Sequence, residues 1–146
     1  MNVILNPLQS DTRKGDITLP AAVNLTGLEN YLWKISSNGG VPNFALPTAV
    51  TDYAYFVGAS GDILGNPVAA EAPGLDTNVR VAFSGTCNAG DPLSLNPNAY
   101  GQLYKPGAGA GNIYYDWIAE EPGAGGTTAA PQFLKVRRIA SRTANL

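Results

Sequence analysis

The sequence predicts a mainly β protein, built as a small barrel or sandwich of short strands. Its 146 residues include 17 Gly and 11 Pro, together roughly a fifth of the chain, where average proteins hold about 12%. Only 14% of the residues are charged, while 45% are apolar, with seven Tyr, four Phe and two Trp. That apolar content supplies a core, which a disordered chain equally rich in turn residues lacks. Apolar positions also recur with a period of two over short runs, and clusters of Gly, Pro, Asn and Asp interrupt them. The length suits one compact domain.

The amino-terminal third, residues 1–50, is expected to form an extended arm with extra strands. Val3, Ile4, Leu5, Pro7 and Leu8 make its start mildly apolar. The apolar run is short and lacks a basic leader, so no signal peptide is expected. An extended segment of this kind can add a strand to an exposed sheet edge, which makes these five residues the candidate docking contacts. Ala21 to Lys34 is the one stretch with any helical case. It follows Pro20, contains Gly27 and spaces its apolar residues irregularly, so at most a turn or two of helix is expected.

Five runs read as strands. Tyr31 to Ser36 is closed by Asn38-Gly39-Gly40, and the aromatic Asp52 to Gly58 is ended by Ser60-Gly61-Asp62. Asn78 to Ser84 places Val79, Val81 and Phe83 on one face and Arg80, Ala82 and Ser84 on the other. Asn112 to Glu120 does the same with Ile113, Tyr115 and Trp117, and Phe133 to Ile139 is the last run. Between them Gly85, Gly90-Asp91 and Gly101 read as corners, where a small barrel must bend its strands sharply. The run Gly107-Ala108-Gly109-Ala110-Gly111 precedes a strand-like segment and no helix, so a phosphate-binding loop is not expected.

Charge divides the chain into an acidic body and a basic end. Asp52 to Glu121 holds eight acids against Arg80 and Lys105, whereas the last twelve residues hold Lys135, Arg137, Arg138 and Arg142 and no acid. Four cations without interleaved aromatics suit solvent or an acidic neighbouring subunit better than nucleic acid, and no nucleic-acid partner is expected. No 18-residue apolar run is present, so no membrane-spanning helix is expected. The single Cys87 excludes an internal disulfide and is expected to be a partly buried apolar residue.

Chemistry-bearing residues are sparse. The chain has no His, the commonest general base and metal ligand. Glu120 and Glu121 are adjacent, and on a strand they would point to opposite faces. Nothing in the sequence singles out a pair among the dispersed acids Asp52, Asp62, Asp91 and Asp116. No enzyme activity, cofactor or metal is expected.

The run Val79 to Asn96, then Tyr100-Gly101, Gly111 to Gly126, and Phe133 to Ile139, resembles the capsid decoration, or cement, proteins of tailed bacteriophages, of the phage lambda type. The shared features are a strand leading to Gly85, the Gly90-Asp91 turn, the short apolar strand of Leu93 and Leu95, and a strand ending at Ala119-Glu120. A Gly-rich loop at Gly123 to Gly126 and a closing strand complete the set. The resemblance covers about residues 50 to 140. It implies a β-tulip-like decoration domain over residues 51–140, after the arm of residues 1–50 and before a short basic tail of residues 141–146. It further implies a homotrimer on the outer surface of the virion, bound to the major capsid protein and stabilising the expanded head. Tyr53, Tyr55, Tyr114, Tyr115 and Trp117 are the aromatics for core or subunit interface, since Trp and Tyr are enriched among binding hot spots. A second reading is a small β-sandwich binding module for carbohydrate or another surface, using exposed Tyr and Trp.

Overall fold

The computed structural model describes residues 16–146. The arm residues Val3, Ile4, Leu5, Pro7 and Leu8 lie outside the described residues. Among those described there are twelve strands and no helix. The mainly β expectation is met, and Ala21 to Lys34 holds only turns before a strand begins at Leu32.

The strands form two main units. In the first, β1 (Asp16–Pro20), β2 (Leu32–Asn38), β3 (Val41–Ala45), β4 (Phe56–Ser60) and β5 (Pro67–Glu71) make an antiparallel sheet in the order β1-β5-β4-β2-β3. A single parallel bridge between Ala21 and Phe44 brings its two edges together at one point. In the second, β6 (Asn78–Phe83), β8 (Pro92–Leu95), β9 (Leu103–Tyr104), β10 (Asn112–Ala119) and β12 (Gln132–Asn145) close into a barrel in the order β10-β12-β6-β9-β8. A short ribbon of β7 (Gly85–Cys87) and β11 (Gly123–Gly126) lies beside it.

The division between sheets falls between Glu71 and Asn78, so the strand-forming residues 56–71 belong with the first third of the chain and not with the barrel. Two further expectations are corrected. The segment expected as a basic tail is strand: β12 continues to Asn145, and Arg142, Thr143, Ala144 and Asn145 pair with Tyr115, Tyr114, Ile113 and Asn112. Gly123 to Gly126 is also strand and no loop, because Gly123 and Ala124 lie opposite Cys87 and Thr86. A side chain at Gly123 would place its Cβ 2.4 Å from the Phe83 ring, so this strand approaches the core too closely for anything larger.

Each unit has its own core. Val81, Phe83, Leu93, Leu103, Trp117, Leu134 and Val136 fill the barrel, as the alternation of Asn78 to Phe83 predicts. Trp33, Phe44, Val68 and Ala70 fill the sheet unit, where Phe44 stacks at a tilt on Trp33 and on Phe56. The two cores share a wall. Leu32 pairs with Val57 and Trp33 with Phe56 across β2 and β4. Because successive side chains point to opposite faces, Leu32 and Val57 belong to the barrel core while Trp33 and Phe56 belong to the other.

The remaining junction is made by backbone. The Leu32 amide donates to the Gly101 carbonyl, and the Ala82 amide donates to the carbonyl of Asn30, itself in a left-handed conformation with φ 66°. Gly101 is one of the expected corners, with φ 81°, and a Cβ there would lie 2.9 Å from the Leu32 carbonyl oxygen. Gly85 and Gly90 also have positive φ, as corners require. The Gly90-Asp91 turn is closed by Asp91, whose carboxylate accepts from the Asn88 amide at 2.8 Å and pairs with Lys105 at 2.9 Å.

Candidate functional site

The five aromatics singled out in the sequence separate into core and surface. Trp117 is buried in the barrel, 1% exposed. Tyr114 and Tyr115 are half-buried on β10, and Tyr55 is half-buried just before β4. Tyr53 is 77% exposed. The structure brings Tyr53, Tyr55 and Tyr114 together with Asp52, Asp116 and Ser141 around a cleft of about 320 Å³. Tyr115 and Trp117 do not line it.

Local chemistry fixes each wall. Asp52 to Tyr55, expected as the start of a strand, instead forms the approach to β4, which begins at Phe56. The cause is the Asp52 carboxylate: one of its oxygens accepts from the Thr48 amide, the Ala49 amide and Lys34 Nζ, the last at 2.9 Å. These bonds fold residues 48–52 into a turn, which ladder pairing would forbid. Burial works to raise the Asp52 carboxyl, but the bonds from Lys34, Thr48 and Ala49 outweigh it and hold the group below its usual range.

Across the cleft, Asp116 Oδ1 accepts from the Tyr55 hydroxyl at 3.2 Å and from the Ser141 hydroxyl. Asp116 sits where the pairing of β10 with β12 shifts register, between Tyr115 and Trp117. Such a bulge re-aims side chains, and here the displaced residue faces the segment preceding β4. Burial, with the neighbouring Asp116 charge, pushes the Tyr55 phenol above its ordinary range, so it stays a neutral donor. Arg138 stacks on the Tyr55 ring, its Cζ 4.3 Å from the centroid, and donates to the Pro73 carbonyl. The Tyr53 ring leans on Tyr55, with centroids 6.1 Å apart and planes at 38°.

The other candidates have structural partners. Glu120 accepts from Arg137 Nε and lies 3.6 Å from Lys135. Glu121 accepts from Arg80 and from the Lys135 amide. The two adjacent acids thus serve different side chains, Arg137 and Arg80, and share Lys135 through its ammonium and its amide. Lys135, Arg137 and Arg138 of the basic end are engaged by Glu120 and by the carbonyls of Asp76 and Pro73 in the segment that precedes the barrel. Cys87 is buried, and burial pushes its thiol up, which suits an unreactive apolar residue. A second hollow, about 360 Å³ and lined by polar groups including Ser84, Asn96 and Lys105, is largely satisfied internally. Asn96 donates to Ser84 Oγ there, and Lys105 pairs with Asp91.

Among the described residues, no group of three or more Cys, Asp or Glu is placed to hold a metal ion. The tyrosine cleft was only partly legible in the sequence. The aromatic run at 53–56 and the Tyr-Tyr-Asp at 114–116 were visible, but Ser141 lay in a segment expected as tail. Compared with known protein families, curated proteins and solved structures, the chain matches none.

Proposed function

We propose that this protein is a structural component of a virion, a decoration protein that binds the outside of a tailed-phage head as a trimer and stabilises the expanded capsid. The observation that carries the reading is an apolar tip on the sheet unit. The turn between β4 and β5 exposes Ile63 and Leu64, the latter 65% exposed, and Val23 is exposed on the segment it packs against. The Leu25 amide donates to the Asp62 carbonyl and the Gly65 amide to the Ala21 carbonyl, which hold these side chains at one end. Large apolar side chains grouped in water favour a contact surface.

The residues that carry the sequence resemblance also support it. Gly85, Gly90-Asp91, Leu93, Leu95, Ala119-Glu120 and Phe133 to Ile139 belong to the barrel and its adjoining ribbon. Cementing needs area and repeated weak contacts. Linking three modest patches raises avidity by about 10²- to 10⁴-fold when all three engage together.

The test has two parts. Light scattering is expected to give three subunits for the full chain and for the chain lacking residues 1–15. Co-sedimentation with expanded heads stripped of decoration protein is expected to succeed with the full chain and to fail after Leu64→Asp. A monomer that never sediments with expanded heads would overturn the proposal.

A further inference from the structure

We propose that the tyrosine cleft is a binding site for a neutral saccharide, with Tyr53 as the stacking platform and Asp116 as the hydroxyl acceptor. Sugar rings present an apolar C–H face and a rim of hydroxyls. A site for them needs an accessible aromatic face beside hydrogen-bonding groups whose capacity is unfilled.

The cleft has both. Tyr53 is supported from one side by Tyr55 and open on the other, so a ligand would cover surface that water now covers. Asp116 receives the Tyr55 and Ser141 hydroxyls on the same oxygen, Oδ1, and Oδ2 has no hydrogen-bond partner among the described residues. Asp52 repeats the arrangement: its bonds from Lys34, Thr48 and Ala49 all reach Oδ2 and none reaches Oδ1. A carboxylate held by one oxygen is rigid and can still accept from a hydroxyl with the other. The cleft volume of about 320 Å³ fits one or two sugar rings.

Charge decides between a polyol and a cation. Lys34 pairs with Asp52, and Arg138 lies on the Tyr55 ring at whose hydroxyl Asp116 is bound. Lys34 thus offsets Asp52, and the Arg138 guanidinium stands on the Tyr55 wall of the same cleft, so a cationic ligand would meet like charge on both sides. A neutral polyol suits the balance. The site is independent of the capsid reading, since neither the apolar tip nor a trimer enters into it.

The test is a titration of the isotopically labelled full chain with glucose, galactose, mannose, N-acetylglucosamine, cellobiose and maltose, followed by NMR. At least one is expected to give saturable shifts confined to residues 50–55, 114–116 and 141. Tyr53→Ala is expected to weaken that binding at least about tenfold. Asp116→Asn keeps an acceptor for Tyr55 and Ser141 while replacing the open oxygen by a donor, and should weaken binding with the folded spectrum unchanged. No saturable shift up to about 50 mM, enough to populate a millimolar site, would overturn the proposal. So would undiminished binding by Tyr53→Ala, or cleft shifts produced by spermidine and by none of the sugars.

Discussion

The barrel and the sheet unit bury similar apolar residues but treat their backbones differently. In the barrel, β8 pairs with both β9 and β10, and β12 with both β10 and β6, so each strand has a neighbour on both sides. The sheet ends in β1 and β3, which among the described residues meet in one bridge, at Ala21 and Phe44. Its edge strand β3 carries Pro42 and exposes Val41. A proline at an edge blunts pairing with other chains. Closure protects the first unit, and local chemistry protects the second. The barrel is the more self-contained in its strand pairing, although its core takes Leu32, Ala54 and Val57 from the other half of the chain, and the sheet unit is where contact surfaces can be displayed.

Because Trp33 lies in one core and Trp117 in the other, Trp33→Phe and Trp117→Phe backgrounds each report on one unit by fluorescence. The largest expected effect breaks the distinction altogether. Leu32 is on the sheet but packs in the barrel, so Leu32→Ala should cost about 2–5 kcal/mol, and both reporters should melt earlier together. Separate transitions would mean that the shared wall does not couple the units.

Gly58→Ala should be next, and more local. A Cβ there would lie 2.4 Å from the Trp33 ring and 2.9 Å from the Leu28 carbonyl. Overpacking of that kind costs about 1–3 kcal/mol and should shift the Trp33 signal first in urea.

Acid should weigh more on the barrel, which holds three depressed carboxylates against the one, Asp52, that pairs with Lys34 of the sheet unit. Asp91 and Glu121 on the barrel are held below their usual ranges, Asp91 by Lys105 and the Asn88 amide, and Glu121 by the Lys135 amide and Arg80. Glu120 is also low: burial raises it, but Arg137 and Lys135 outweigh that. Groups with depressed folded values contribute stability above their unfolded values, 4.5 for Glu and 3.8 for Asp, and lose it as pH falls through the folded ones. Unfolding monitored at Trp117 is therefore expected to be flat near neutrality and to weaken below about pH 4.5.

The smallest effect is Tyr53→Ala. The side chain is exposed, so stability should change by no more than about 0.5 kcal/mol, which leaves the variant usable in binding assays. A larger loss would show that Tyr53 supports Tyr55 and the junction.

How much of this was legible follows from which side chains see two environments. Asn112 to Ala119 and the first half of Asn78 to Phe83 alternate between a core and a wetter face, and their patterns announce strands, whereas Val81, Ala82 and Phe83 are all buried where the barrel meets the other unit. β3 and β5 were not legible, since Val-Pro-Asn-Phe-Ala has a proline and Pro-Val-Ala-Ala-Glu carries only one large apolar residue. β11 is Gly-Ala-Gly-Gly, and its strand character comes from its partner and not from its own propensity. Leu32 and Trp33 were read correctly as strand, but their role as a wall was hidden. Both faces of β2 are buried there, so no alternation marks the segment as a wall between two cores. The cleft was partly hidden because its residues come from three distant segments and one register shift.

That wall also limits how the chain can change length. Insertions into the exposed Gly107 to Gly111 turn region would alter a surface connection and little else. One residue inserted before Leu32 and absorbed by a slip along β2 would exchange the faces of Leu32 and Trp33, driving an indole into a filled barrel and leaving a void beside Phe44. Variants of this protein are expected to differ in loop length freely and in the length of β2 not at all.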